Sequence, residues 1–514
     1  MDGASESATT EDWGPFGRPL FDDPSARALS RVGVVDVGSN SVRLVVFDGA
    51  ARSPAYFFNE KVMAGLGAGL AETGRLNPQG KVRAMEALKR FQHLADAMGI
   101  APLTAVATAA VREAEDGPAF REDVLRETGL RLFVIDGEEE ARLSAQGVLL
   151  GWPGAQGLVC DIGGSSMELA ELRGGKVGRC VSSKLGPQRL KTIKGKKALK
   201  AHLSQGLREL GDQIGRDPGR LFLVGGSWRA IARIDMDRRG YPLAVLHEYR
   251  MSRKAVYATI EYIETSDIEQ LRLRCGLSES RMELVPLAAQ VLKHLVRELR
   301  PTDIAISSYG IREGLLYEQM PQKLRDRDPL IEACRFAEAK DARMPGFGAR
   351  LYDFVLPLFT WRGAPDKRLV RAACLLHDVS WRAHPDYRHE VCFDEATRAN
   401  LGGMTHEERV FLGVALLHRY KNSRDGSPFE DLFGLLEEDD LKQAEILGKA
   451  LRFGAMLTAS ENEKMGSLKY FPKKKRLELI LAPGTRDLYG EVAEARLKSL
   501  ASALGEVEIV VKGR

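Results

Sequence analysis

The chain has 514 residues, 44% hydrophobic and 28% charged, with a net charge of +4. That length exceeds what one growing core accommodates and predicts several domains, while so small a net charge is no ground for a specific nucleic-acid partner. No apolar run is long enough to span a bilayer, and Met1 to Glu11 is acidic and small rather than basic then apolar. The expectation is therefore a cytoplasmic protein without a membrane segment. The six cysteines are scattered singly without CxxC spacing, which fits reduced thiols rather than a disulfide frame or a zinc site.

Residues 1–30 lack periodicity and read as a flexible leader. From Val32 to Phe47 two β-branched runs flank the polar hinge Asp36-Val-Gly-Ser-Asn-Ser41, a pattern that predicts two strands around a tight turn. Gly38 opens backbone torsions closed to other residues, and Ser39, Asn40 and Ser41 offer donors able to close around a phosphate. Asp36 ends an apolar strand, where a carboxylate needs a metal or a donor. A third strand is expected over 56–63, a helix over 78–98, a buried strand over 103–108 and a strand over 131–135. Arg112 follows the buried strand, placed either to reach an anion or to pair with Glu113 or Glu115 on the surface. Asp136-Gly-Glu-Glu-Glu-Ala-Arg142 opens a helix through Leu150, where carboxylates complement the helix dipole.

Gly157 to Glu171 then repeats the opening stretch: Asp36 maps onto Asp161, Gly38 onto Gly163, Ser41 onto Ser166 and Arg43 onto Glu168. Two related halves, each carrying a strand, an Asp-x-Gly polar turn and a second strand, predict facing phosphate-binding turns around a cleft for a metal-bound phosphate.

Five motifs occur in order: Asp36-x-Gly-Ser-Asn-Ser-x-Arg43, Ala107-Thr-Ala-Ala-Val-Arg112, Gly137-Glu-Glu-Glu-Ala-Arg142, Asp161-Ile-Gly-Gly-Ser-Ser-x-Glu168 and Gly225-Gly-Ser-Trp-Arg229. Over residues 31–318 the chain resembles the exopolyphosphatase and guanosine pentaphosphate phosphatase family. The resemblance implies a duplicated actin-like (ribonuclease H-like) α/β core and a Mg²⁺-dependent release of terminal phosphate, with a monovalent cation such as K⁺ left open. By motif position it makes Glu140 catalytic. Asp161 and Glu168 then become Mg²⁺ partners, with Asp36 joining through water, because that ion takes hard oxygens and few carboxylates beside phosphate. The amides and hydroxyls of Gly38, Ser39, Asn40, Ser41, Gly163, Gly164, Ser165, Ser166, Gly225, Gly226 and Ser227 would cradle phosphate oxygens, with Arg43 and Arg112 neutralising charge.

Between Lys184 and Lys200 stand seven basic residues and no acidic one. Such a stripe is ordinarily a solvated face; with the resemblance in view, Lys184, Arg189, Lys191, Lys194, Lys196 and Lys197 are expected to form a track for a long polyanion. Trp228 replaces the smaller residue usual in related sequences and is expected to narrow the cleft. Beyond a charged boundary at 321–329 the pattern turns helical, and Ala372 to Asp378 resembles an HD-type phosphohydrolase signature. No histidine lies between His294 and His377 to serve as its upstream ligand. His384, His389 and His418 are the available substitutes, and a degenerate helical domain is the reading adopted. Lys473 to Arg476 leads into a strand, a helix and a strand.

The expected organisation is thus a leader (1–30), two actin-like α/β domains (31–150 and 151–320), a helical HD-like domain (321–470) and a small terminal α/β lobe (471–514). The expected activity is removal of terminal orthophosphate from inorganic polyphosphate, with a homodimer lengthening the binding track. The alternatives are a guanosine pentaphosphate (pppGpp) 5′-phosphatase, a nonhydrolytic polyphosphate or alarmone sensor and, less favoured, an actin-like sugar kinase.

Overall fold

The computed structural model describes residues 31–48, 52–100, 103–457 and 465–513; the leader expected over 1–30 lies outside them. The chain divides into two compact units. One runs to Tyr241 and resumes over Tyr249–Asp326, and the other takes Pro242–Glu248 with Arg327–Arg514.

In the first unit the opening hairpin is β1 (Val32–Val37) and β2 (Val42–Phe47), followed by β3 (Tyr56–Val62), helix α1 (Pro78–Ala97), β4 (Thr104–Ala107), α2 (Ala109–Glu113), α3 (Gly117–Thr128), β5 (Leu132–Val134) and α4 (Gly137–Gly151). The sheet order is β3-β2-β1-β4-β5, antiparallel across the hairpin and parallel from β1 to β5. The second half rebuilds this order with β6 (Gly157–Ile162), β7 (Met167–Arg173), β8 (Lys176–Ser183), α5 (Lys196–Ile214), β9 (Arg220–Val224), α6 (Gly226–Arg239), β10 (Arg250–Met251), α7 (Val285–Leu299), β11 (Asp303–Ser307) and α8 (Ile311–Glu318). Its sheet runs β10-β11-β9-β6-β7-β8, so the duplicated sequence is a duplicated sheet with one added edge strand.

Val34 and Val35 point to opposite faces yet both are fully buried, which is why β1 reads as a continuous apolar run. On one face Val35, Leu44 and Val46 pack against Leu88, Phe91, Phe120 and Val124 of α1 and α3. On the other, Val34, Val45 and Val106 share a core with Val159, Phe222 and Ala305 of the second sheet and Leu143, Val148 and Leu150 of α4. Because both sheets bury residues in that one core, the two α/β halves form one unit rather than separate bodies. Glycines let α4 and α8 meet there: a Cβ on Gly147 would lie 2.2 Å from the Gly310 carbonyl oxygen, and one on Gly314 1.8 Å from that of Leu143.

The second unit is mostly helical: α9 (Pro329–Asp341), α10 (Phe347–Val355), α11 (Lys367–Leu376), α12 (Arg388–Arg398), α13 (His406–Tyr420) and α14 (Glu438–Leu457). It closes with β12 (Gly466–Phe471), β13 (Arg476–Leu481), α15 (Glu491–Leu504) and β14 (Glu508–Lys512). The expected break after residue 470 falls inside β12, which pairs antiparallel with β13. Buried Leu497 and Leu500 on α15 and the Trp361–Tyr470 ring contact at 5.5 Å tie this sheet to the helices, so contacts place it in the same unit. The segment Pro242–Glu248 also belongs here, with the His406 ring Nε2 donating to the His247 carbonyl at 3.0 Å. Among the described residues no helix is long and apolar enough to cross a membrane.

Candidate active site

The two Asp-led turns have the same geometry. Gly38 N–H donates to the Ser41 carbonyl at 3.0 Å and Gly163 N–H to that of Ser166 at 3.0 Å. Each turn is fixed by the strand register behind it, Asp36 opposite Arg43 in one and Asp161 opposite Glu168 in the other. The turns meet through Ser39 and Ser165, whose hydroxyls lie 3.0 Å apart.

Between them opens a cavity of about 200 Å³. Asp36, Gly38, Asn40, Ser41, Arg43, Asp161, Gly163, Gly164, Gly225, Gly226 and Ser227 line it. Gly225 must be glycine: its φ is +114°, and a Cβ would stand 2.7 Å from the Ile162 carbonyl oxygen. Ser39 and Ser165 bridge the turns at the cavity edge, Ser166 is buried behind its turn, and Ser165 faces a second cavity of about 380 Å³ with Arg189.

Glu140, on the first turn of α4, is 5% exposed. Its neighbours Glu138 and Glu139 separate by environment, the first being exposed and the second paired with Arg142 through bonds of 2.8 and 2.6 Å. Asp136 caps the helix by accepting from Glu139 N–H at 2.8 Å. Arg112 donates to the Ile135 carbonyl at 2.7 Å and stands 3.6 Å from the Glu140 carboxylate, so the fold turns it onto the glutamate rather than onto Glu113 or Glu115. Burial first, then the charges of Glu168 and Asp161, hold the Glu140 carboxyl well above the ordinary range. Glu168 is raised to about 8 by burial and Asp161. Asp36 and Asp161 are raised by burial, the latter opposed by a short hydrogen bond from Ser144.

Glu168 accepts from Ser182 at 3.0 Å through Oε1. Its Oε2 and that of Glu140 are buried without a hydrogen-bond partner among the described residues. Glu140 Oε2 has only the Arg112 guanidinium, 3.6 Å away, and Glu168 Oε2 has no ion pair among the described residues; four mutually repelling acids so placed would suit a small hard cation. Among the described residues no group of three or more His, Cys, Asp or Glu side chains is placed to hold a metal ion by itself.

Opposite the acids the cavity wall is cationic. Arg43, Lys61, Arg229, Arg281 and Arg312 all line it, and none forms an ion pair among the described residues. They crowd one another: burial and the neighbouring charges lower Arg43 to about 10 and Lys61 to about 8. Arg281 reaches in over a missing side chain, since a Cβ on Gly226 would meet its guanidinium at 2.5 Å. Lys61, Arg281 and Arg312 are not marked by the sequence motifs. They come from β3, from the short helix Glu279–Met282 and from the start of α8, so no motif spacing joins them; Arg229 closes the Gly225-Gly-Ser-Trp-Arg229 motif, and its place there after a strand and a turn was the available signal.

The expected polyanion track behaves differently. Arg189 pairs with Glu113 at 3.1 Å and Lys191 with Glu283. Lys184, Lys194, Lys196 and Lys197 are exposed and line neither cavity. Trp228 does not narrow the cleft, because α6 turns it inward, fully buried in the core. In the second unit Asp378 is held by a two-pronged Arg343 contact and the His377 Nδ1 lies 2.8 Å from the Cys374 carbonyl. His384 is exposed and caps a turn while His418 is buried, so the substitutes do not gather around the His377-Asp378 pair in one common environment.

Two sheets of one strand order, each opening an Asp-led turn onto a shared cleft, define the actin-like class of phosphate-handling folds. The chain belongs to the Ppx/GppA phosphatase family, whose model matches residues 45–323, and a model of the exopolyphosphatase C-terminal region matches residues 350–511. Exopolyphosphatase 1 of Mycobacterium tuberculosis (strain H37Rv) is 35% identical over 143 residues, 27% of this chain and 42% of that protein. Its counterpart in Mycobacterium leprae is 34% identical over the same length and shares. The chain thus spans well under half the length of the curated relatives it matches. Among solved structures, an exopolyphosphatase from Cytophaga hutchinsonii superposes with a TM-score of 0.51 at 24% identity, covering 56% of this chain and 97% of that one. A Ppx/GppA family member from Aquifex aeolicus gives 0.50 at 23%, covering 58% and 99%. At that identity the likeness is one of fold.

Proposed function

We propose that the first unit hydrolyses the terminal phosphoanhydride of inorganic polyphosphate. The observation that carries this reading is the cavity itself, where five cations without an ion pair among the described residues line the same space as Asp36 and Asp161, whose charges also act on the buried Glu140 behind them. A chain of phosphates presents one negative charge or more per unit, and the cationic wall together with the turn amides would hold it in place of water. Water would attack the terminal phosphorus, the P–O bond to the bridging oxygen would break, and the chain shortened by one phosphate would leave.

Glu140 is suited to orient that water and accept its proton. In the free protein burial, Glu168 and Asp161 push its carboxyl well above the ordinary range while Arg112 opposes them, so further positive charge at the site would favour its role as a base. Asp161 and Glu168, with Asp36 through water, are the residues that would hold Mg²⁺. The ion would supply charge neutralisation at the phosphoryl oxygens. Arg112, tied to the Ile135 carbonyl, fixes where Glu140 points.

The nearest alternative, guanosine pentaphosphate, uses the same chemistry. What favours polyphosphate is that among the described residues no aromatic side chain lines the cavity, which offers a base no aromatic stacking surface. A nonhydrolytic sensor has no use for an orphaned acid beside the phosphate turns. We place the reaction in a reducing, cytoplasmic setting, supported by six free cysteines of which five are buried. The homodimer, whose paired C-terminal regions would lengthen the binding track, stays part of the proposal and is tested by light scattering. Phosphate release from long-chain polyphosphate and from guanosine pentaphosphate, each with Mg²⁺, tests the whole reading: release from polyphosphate supports it, and tight binding without release from either substrate replaces it with the sensor.

A further inference from the structure

Gly164 and Gly226 sit in the two turns of the second half, and each lies under a side chain from a segment outside the motifs. Over Gly226 it is Arg281; over Gly164 it is Gln188, whose Oε1 would stand 2.6 Å from a Cβ there. The segment that carries Gln188 is fastened to the turn by its backbone. Gln188 N–H donates to the Gly164 carbonyl at 2.8 Å and Gly186 N–H to the Ser165 carbonyl at 3.3 Å. A Cβ on Gly186 would lie 2.3 Å from the Ser165 carbonyl carbon, so this approach is as close as a backbone permits. Two carbonyls of the turn are thereby directed at the 186–188 segment, and the carboxamide is pressed against the turn.

Gln188 lines the cationic cavity and also the second cavity on the far side of Ser165. It is half-buried, and among the described residues its carboxamide has no hydrogen-bond partner. A half-buried polar group braced by two backbone bonds, held against a phosphate turn and without a protein partner among the described residues is placed for a ligand.

We propose that Gln188 is a phosphate-binding residue of this site, its NH₂ donating to an oxygen of the phosphate seated on the Gly163–Ser166 turn. The inference rests on the phosphate-chain reading above. An uncharged donor suits this position: it directs a phosphoryl oxygen without adding to the cationic wall that would retain the product. Gly164 belongs to the same device, because any side chain there would push the carboxamide away.

The test is calorimetric titration of the full-length protein with tripolyphosphate in Mg²⁺-free buffer, beside steady-state kinetics on long-chain polyphosphate with Mg²⁺. Gln188→Ala is expected to weaken tripolyphosphate binding about tenfold, the loss of one hydrogen bond to a charged group, and Gln188→Glu a hundredfold or more. Gly164→Ala is expected to weaken it comparably, and the double variant Gly164→Ala/Gln188→Ala to be no weaker than Gly164→Ala alone, since both changes remove one contact. Unchanged melting temperatures are the check on folding, and Gln188→Asn is the milder variant should Gln188→Ala melt early. Wild-type affinity in Gln188→Ala, or additive losses in the double variant, overturns the proposal. If the wild type binds tripolyphosphate with this Gln188 dependence yet releases no phosphate, the hydrolase reading fails and the Gln188 assignment stands. If it hydrolyses polyphosphate with no effect of Gln188, the reverse holds.

Discussion

The hydroxyls of Ser39 and Ser165 meet at 3.0 Å, joining two turns from the two halves of a duplicated sequence one position out of strict equivalence. This contact closes the phosphate clamp at its edge. A neutral hydrogen bond of this kind contributes on the order of 1 kcal/mol. We expect Ser39→Ala and Ser165→Ala each to raise KM a few-fold, and a double-mutant cycle to show them coupled by roughly 0.5–1.5 kcal/mol. Additive effects would mean that the turns are held apart from one another in solution.

Lys61 makes the site sensitive to alkaline pH. Its ammonium is lowered to about 8 by burial and by Arg281, Arg43, Arg229 and Arg312. The free protein therefore loses this proton as pH rises through about 8, whereas a bound polyanion restores it. Binding takes up a proton above that pH, so affinity for tripolyphosphate should fall there by up to tenfold per pH unit. Lys61→Arg keeps its charge and should bind with a shallower decline, read by titrations at pH 7, 8 and 9.

The crossing of α4 and α8 leaves no room for a side chain. Because a Cβ on Gly314 would stand 1.8 Å from the Leu143 carbonyl oxygen, Gly314→Ala should destabilise the first unit by roughly 2–4 kcal/mol. Denaturant unfolding measures this. Gly363→Ala, on an open turn with φ +82°, is the comparison for backbone strain without a clash.

Acid should weaken the second unit before neutral pH does. Burial lowers His247 to about 3 and His377, His406 and His418 to about 4. Below about pH 6.5 the unfolded chain binds protons that the folded one refuses, so stability present above that pH is lost as pH falls towards 4, on the order of 1–3 kcal/mol per histidine. Thermal melts from pH 7 to pH 5 check this. His418, whose ring nitrogens are both unpartnered among the described residues, is the one whose replacement by leucine should flatten the decline.

What the sequence disclosed was local and repeated. The valine-rich strands around Asp36 declare the first hairpin and the repeated Asp-x-Gly hinge at Asp161 declares the second, because both are contiguous signals, and motif order singled out Glu140, the buried member of three adjacent glutamates. The cationic wall was hidden because Lys61, Arg281 and Arg312 come from separate elements and converge only when the two sheets share a core. The basic run at 184–200 divides in a way its contiguous charges do not reveal: the fold gives Arg189 and Lys191 to glutamates and leaves Lys184, Lys194, Lys196 and Lys197 in solvent. Strand β12 was missed because its pairing with β13 lies across a basic turn that resembled a boundary.

The central claim is that Glu140 activates water at a phosphate chain held by the two turns. Phosphate release from long-chain polyphosphate with Mg²⁺, measured for wild type and Glu140→Gln, tests it most directly. The account predicts a fall in kcat of about 10²–10⁴-fold in Glu140→Gln, with tripolyphosphate affinity retained and full activity in Glu138→Gln. A Glu140→Gln protein that releases phosphate at the wild-type rate would contradict it.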